Sequence, residues 1–257
     1  MRACRIAHQS LESPRYALIE DNNVFPFSAN YAIGHEEEID RSGQLPLSEV
    51  QLLAPVVPSK VVCVGRNYLE HAAELGNKMP DEPLLFLKPS SSVIASGDVI
   101  ELPTQSQQVE HEGELGVVIG RTARKLTSDD DPLSYVFGYT CVNDVTARDL
   151  QRKDVQFTRG KSFDTFCPVG PWIVSDIDPH NVDVTTKLNG VLKQKGNTAD
   201  MAFPVAFLIK YISEIMTLFP GDLIATGTPA GVARMQNGDV VEVEVAGIGI
   251  LRNQISG

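Results

Sequence analysis

Glu110, Glu112 and Glu114 alternate with His111 and Gly113 in the run VEHEGELGVVIG. On an extended chain that spacing turns all three carboxylates to one face. Carboxylates about 4 Å apart repel by roughly 4 kcal/mol per pair at an effective dielectric near 20. The apolar continuation Val117-Val118-Ile119 would carry such a row into a core. Either the row is solvated at a sheet edge, or a cation neutralises it. A second stretch, GYTCVNDVTARDLQ, ends its apolar run in Asn143-Asp144. A carboxylate at the end of a buried strand is costly unless paired, the bland alternative being an N-cap for the residues that follow. Arg148 and Gln151 lie four and seven positions beyond Asp144 and share its face if a helical turn forms. After GRNY, His71 and Glu74 stand at i, i+3, so the carboxylate can orient and polarise the imidazole. An incidental surface pair would have the same spacing. Leu75, not His, follows this HxxE, which excludes the inverted zinc-protease motif.

Two further stretches are weaker. RGKS at residues 159–162 invites a phosphate-loop reading, but the first glycine that motif requires is replaced by Val155. Nucleotide binding is therefore rejected, and Lys161 is kept as a positive group beside an anionic substrate. ATGTPAG at residues 225–231 follows an apolar run, and its backbone amides and Thr228 could hold a carboxylate or form a plain turn.

The elements that must position these groups are mainly strands. Gly97-Asp98, Gly221-Asp222 and Gly238-Asp239 each precede a β-rich run. Val241, Val243 and Val245 alternate with Glu242 and Glu244, the period of a half-buried strand, and Ala246-Gly247 can turn it into GIGILRNQI. In TTKLNGVLKQK, Asn189-Gly190 has the residues a type I′ hairpin demands. Two helices are expected. Residues 203–218 place Val205, Leu208, Ile209, Ile212 and Met216 on one face, with Pro204 in the first turn. Residues 68–75 form a short helix with Asn67 as N-cap and Gly76 as stop. RYALIEDNNVFPF suggests a small hairpin, and HEEEIDRSGQLPLSEV is polar and irregular. The expected organisation is a small N-terminal β domain over residues 1–52 and a catalytic domain over 53–257.

Composition bounds the rest. The 257 residues are 42% hydrophobic and 21% charged, an ordinary globular balance with a core large enough to need no staple. The longest stretch without Asp, Glu, Lys or Arg is residues 22–35, too short for a membrane-spanning helix. The first ten residues lack the apolar region of a secretory signal. A net charge of −11 argues against nucleic-acid and anionic-membrane partners. Cys4, Cys63, Cys141 and Cys167 show no metal-like spacing; Cys63 and Cys141 lie in apolar runs as buried thiols. A reducing cytoplasm is the expected compartment.

In series, VGRNYLEHAAELG, PLLFLKPSSSVI, VEHEGELGVVIG, GYTCVNDVTARDLQ, RGKSFDTFCPVGPW, LNG and GDLIATGTPAGV resemble the fumarylacetoacetate hydrolase family. They extend from Val61 to about residue 255. The N-terminal piece is similar to the small lead-in domain of bacterial isomerases of homoprotocatechuate breakdown. The resemblance implies an α+β, mainly β fold: a mixed β-sandwich roll with a few covering helices, assembled as a homodimer. It implies Mg²⁺ or Mn²⁺ held by Glu112, Glu114 and Asp144, with Glu110 outside the ligand set. It implies a catalytic dyad of His71 and Glu74, with Lys161 at the developing oxyanion, and substrate contacts from Arg148, Gln151 and Thr228.

The function so implied acts on small anionic 2-oxo acids through a metal-stabilised enolate. Cleavage of a C–C bond, in acylpyruvates or oxaloacetate, is the first expectation. Isomerisation of 2-hydroxyhepta-2,4-diene-1,7-dioate in aromatic catabolism is the second. A binding protein without activity on the same fold is disfavoured, because every carboxylate and the dyad are intact. Residues 76–83 (GNKMPDEP), with almost no apolar anchor, are expected to form a mobile lid.

Overall fold

The computed structural model describes residues 1–28, 31–34 and 41–257. Twelve strands join in one sheet. Its order runs Leu45–Pro46, Asn23–Pro26, Arg15–Glu20, Arg2–Ala7, Cys167–Val174, Val136–Asn143, Gly113–Ile119, Leu223–Ala225, Val61–Gly65, Leu84–Lys88. Gln51–Leu53 pairs beside Arg2–Ala7, and Val93–Ile94 beside Cys167–Val174. Most pairings are antiparallel, but Leu223–Ala225 runs parallel to Val61–Gly65, so the sheet is mixed. A second sheet has the order Val191–Asn197, Asp183–Leu188, Val240–Val245, Gly249–Ser256, Val99–Glu101. Four α-helices lie outside the sheets among the described residues: α1 (Leu69–Glu74), α2 (Arg148–Asp154), α3 (Thr158–Lys161) and α4 (Val205–Ile215). The mainly β, mixed sandwich expected from the sequence is the architecture found.

Strand alternation builds the core. Val62, Val64, Leu115, Val117, Ile119 and Ile224 turn to one face of the long sheet. There they meet Val184, Val243, Val245 and Leu251 of the second sheet and the apolar stripe of α4. Val61, Cys63, Val118, Val142, Leu223 and Ala225 turn to the other face, with Ile33 and Val56 laid over them. Buried on both faces, the central strands read as continuous apolar runs.

The three Gly-Asp turns each feed a strand two residues later, at Val99, Leu223 and Val240. Asn189 and Gly190 both take positive φ, +53° and +77°, as the type I′ turn requires. Helix α4 is shorter than its periodicity: Pro204 occupies the N-cap and Met216 is extended, although Met216 still packs against the core. Helix α1 begins at Leu69 with Tyr68 at the cap. Asn67 does not cap it. Its fully buried amide donates to the carbonyls of Phe203 and Thr226 and accepts from Phe203 N–H, tying three distant segments together.

The N-terminal hairpin forms over Arg15–Glu20 and Asn23–Pro26. Cys4, Ile6, Ala17, Ile19 and Val24 give this region its own small core, touched by Trp172. Its first strand is also hydrogen-bonded to Cys167–Val174, so the region extends the catalytic sheet rather than standing apart from it. The polar stretch beginning at residue 35 lies outside the described residues as far as residue 40 and then forms the short turn Arg41–Gly43.

Candidate metal centre and active site

The register of two neighbouring strands builds the centre. Gly113 pairs with Asn143 and Glu114 with Val142. One step outward, Asp144 N–H donates to the Glu112 carbonyl at 2.9 Å, continuing the same ladder. Residues 112, 114, 142 and 144 therefore share one face. Carboxylate oxygens of Glu112, Glu114 and Asp144 lie within 4.8 Å of one another, and all three residues are buried. The acidic run is not one continuous strand, however. Val109–Glu110 pairs with Thr146–Ala147 in a separate two-stranded ladder, and the chain steps across His111-Glu112 before entering the long sheet. Asn143 holds this step by accepting from Glu112 N–H at 2.9 Å.

Three buried cations surround the trio. Lys161, from α3, bridges Glu112 at 2.7 Å and Asp144 at 2.6 Å. Lys88 ends its strand by donating to Asp144 at 2.7 Å and to the Val145 carbonyl at 3.1 Å. Arg148 pairs with Glu110 at 2.7 Å, with Glu112, and through Nη1 with the Gln151 side-chain oxygen at 2.7 Å. Glu110 is thus buried against Arg148 rather than solvated. Burial penalises the charge on Glu112, but Lys161 and Arg148 hold its carboxyl well below the usual range. Burial likewise opposes the Lys161 ammonium, and Asp144 and Glu112 overcome it, raising its pKa.

Glu114 differs. Among the described residues, its carboxylate accepts one hydrogen bond, from Gly227 N–H at 2.8 Å. Burial, with Asp144 and Glu112 beside it, pushes its carboxyl well above the ordinary value. If all ionised, Glu110, Glu112, Glu114 and Asp144 would set four negative charges against three positive ones from Lys88, Arg148 and Lys161. The surplus carboxylate is the one without a cationic partner. An oxygen-only donor set with an under-neutralised carboxylate fits a hard divalent cation.

A cleft of about 370 Å³ opens onto this centre. Of the nine residues singled out from sequence, eight line it, and the ninth, Glu74, stands behind His71. His71 is buried, with Nδ1 3.1 Å from Glu74 Oε2; the other Glu74 oxygen accepts from Gly231 N–H at 3.0 Å. The dyad is therefore anchored from the Gly/Pro-rich loop. That loop does bind a carboxylate, but the protein's own: Gly227 serves Glu114. The Thr228 hydroxyl donates to the Gly113 carbonyl at 2.8 Å and accepts from Gln194 at 2.7 Å, so its proton is already committed. Gln194 also accepts from Gly113 N–H at 3.0 Å, locking the loop to the metal strand.

Lys88, Asn143 and Gln194 were not singled out from sequence. Lys88 carries a signal of the same kind as Asp144, a charge ending an apolar run (LLFLK). Asn143 and Gln194 carry none, because their roles exist only across strand pairings.

The fumarylacetoacetate (FAA) hydrolase C-terminal family matches residues 60–256, and the Rv2993c-like N-terminal family matches residues 1–55. The chain is 44% identical to the oxaloacetate tautomerase YisK of Bacillus subtilis over 224 residues, covering 81% of this chain and 74% of that one. Its structure is similar to that of 5-carboxymethyl-2-hydroxymuconate delta-isomerase from Mycobacterium smegmatis, with a TM-score of 0.90, 40% identity and coverage of 100% and 99% of the two chains. It is also similar to 2-hydroxyhepta-2,4-diene-1,7-dioate isomerase from Mycobacterium marinum, with a TM-score of 0.87, 40% identity and coverage of 100% and 98%.

Proposed function

The chain belongs to the fumarylacetoacetate hydrolase family, and from that premise we propose that it interconverts the enol and keto forms of a 2-oxo dicarboxylate of the oxaloacetate type. One observation carries the proposal: a trio of buried carboxylates facing Lys161 and His71 across a single cleft. Glu112, Glu114 and Asp144 would hold Mg²⁺ or Mn²⁺. When bound, the ion supplies Lewis acidity at the substrate's 2-oxygen.

The chain's own residues do the rest. Lys161 places a positive charge beside the oxygen on which enolate charge develops. Arg148, committed to Glu110 and Glu112, keeps Glu112 ionised and aimed, acting as a positioning residue. The Gln151 side chain gives its oxygen to Arg148, which turns its amide nitrogen towards the substrate carboxylate. In the keto-to-enol direction His71, fixed by Glu74, takes a proton from C3 as that C–H electron pair forms the C2=C3 bond, and the 2-oxygen takes up a proton from solvent. In the reverse direction the oxygen releases its proton to solvent and His71 delivers one to C3. With all four carboxylates ionised against Lys88, Arg148 and Lys161, the residues would leave a net charge of −1, so a divalent cation together with the substrate's C1 carboxylate would bring the site to neutrality.

Relatives named as a tautomerase and as isomerases support proton transfer over C–C cleavage, which the sequence alone ranked first. Cleavage stays as a second reading because the same dyad can activate water against an acylpyruvate. The test is a side-by-side assay with Mg²⁺ on enol-oxaloacetate, acetylpyruvate, fumarylpyruvate and the heptadienedioate. Acceleration of oxaloacetate ketonisation, with slow or no loss of carbon–carbon bonds, is expected. Rapid cleavage of acylpyruvates without tautomerisation would replace the proposal by the second reading.

A further inference from the structure

Four cationic side chains line the cleft: Arg66, Arg148, Arg152 and Lys161. Arg148 and Lys161 are spent on the protein's own carboxylates. Arg152 is exposed and makes one long hydrogen bond, 3.4 Å, to Gln108. Arg66 is half-buried and has no hydrogen bond or ion pair among the described residues. A half-buried guanidinium without a partner, in a cleft with an anion-handling floor, is a group waiting for an anion.

The backbone adds a second, independent observation. Arg66 has φ of +56°, a left-handed conformation that residues with a Cβ rarely adopt outside Asn and Asp. Its neighbours force it there. Gly65 is paired with Leu84 in the sheet, Asn67 is clamped by three hydrogen bonds, and Tyr68 bridges to Met201. A strained residue held between fixed points and facing a cleft is the pattern found at ligand sites.

We propose that Arg66 is a specificity-determining residue, receiving the distal carboxylate of a dicarboxylic 2-oxo acid whose other end is chelated at the carboxylate trio. The inference deepens the proposed function and rests on it for the placement of the chelated end. Arg66 forms the charge-assisted contact that distinguishes a second carboxylate from an uncharged group at the same position.

The test compares Arg66→Gln and Arg66→Gly with the unsubstituted enzyme, loaded with Mg²⁺, on enol-oxaloacetate and enol-acetylpyruvate. Binding of oxaloacetate and of 2-oxobutyrate, which replaces the distal carboxylate by a methyl, is measured in parallel by calorimetry. Loss of one charge-assisted contact should lower the kcat/KM ratio of oxaloacetate to acetylpyruvate by about ten- to a hundredfold, mainly through KM. The oxaloacetate preference in binding should fall likewise. Arg66→Gly, which accepts the left-handed backbone, should do so with its melting temperature maintained. Equal losses on both substrates, or an unchanged ratio, would overturn the role of Arg66. If the unsubstituted enzyme binds oxaloacetate more tightly than 2-oxobutyrate but turns over neither enol, the tautomerase reading fails while the Arg66 comparison still stands on binding.

Discussion

Lys161 lies as close to Glu112 and Asp144 as a bound cation's ligands would lie to one another, and this sets what single substitutions do at the site. Glu114→Ala removes the one carboxylate without a cationic partner. It should abolish metal binding and activity while circular dichroism stays native, because the two cores do not depend on this residue; metal analysis checks it. His71→Ala should slow turnover by about 10²–10⁴-fold, the usual cost of removing a proton-transfer group. On the second reading, acylpyruvate hydrolysis would suffer far more than oxaloacetate decarboxylation, and paired rate measurements separate the two. All four thiols are buried, and burial pushes Cys4, Cys141 and Cys167 up to about 12. None should react with a thiol reagent at pH 8 until the chain is denatured, when four should titrate. Which residues were legible in the sequence follows the same chemistry. A carboxylate in or beside an apolar strand needs a reason, so Glu112, Glu114 and Asp144 stand out in one dimension. The partner that gives each its environment does not. Gly227 is far from Glu114 along the chain and meets it only through the order of strands.

Short elements hold the side chains of the site in place. Helices α2 and α3 cross so closely at Gly160 that a methyl there would stand 3.0 Å from Gln151 N and 3.1 Å from the Ala147 carbonyl oxygen. Gly160→Ala should therefore lift α3 from α2 and draw Lys161 off Glu112 and Asp144. The shift needed is a few tenths of an ångström, so the rate should fall by less than the roughly hundredfold that a misplacement of about 1 Å can cost, read as a lower kcat with metal content unchanged. Beyond α1, residues 76–83 adopt no regular structure. Asn77 ties the start of this stretch to Ala72 and Leu75, and Glu82 accepts from the Tyr211 hydroxyl near its end. Leu75 and Asn77 line the cleft, which is where a lid would have to start. Hydrogen exchange at residues 78–81 should be fast in the free enzyme and slowed by Mg²⁺ with oxalate; protection equal to that of the sheet in both states would remove the lid. Strand periodicity and the Asn189-Gly190 turn were readable because each is a local rule. The N-cap assigned to Asn67 was not, since an asparagine before a helix looks the same whether it caps that helix or staples Phe203 and Thr226.

Over the whole molecule, the N-terminal region shares a sheet with the catalytic part while keeping a core of its own. We propose that a boundary near residue 52 marks separate origin rather than separate stability. Deleting residues 1–55 unpairs the Ile173–Val174 end of Cys167–Val174, whose other end stays paired with Val93–Ile94, and takes Ile33 off the second face of the sheet. The truncated chain should melt at lower temperature and associate through that edge, yet bind one metal ion as before; melting curves, light scattering and metal analysis report the three outcomes. The pairing of Arg2–Ala7 with Cys167–Val174 could not be read from either segment, because both have the composition of any buried strand. The same long-range pairing governs how the chain is made. Leu223–Ala225 is wedged between Gly113–Ile119 and Val61–Gly65. On the ribosome, those two flanking strands emerge long before the strand that belongs between them. Every carboxylate of the trio is likewise translated ahead of the Gly227 amide that receives Glu114. The centre of the sheet closes only once Leu223–Ala225 has emerged, and until then the nascent chain presents two open apolar edges for chaperones to shield.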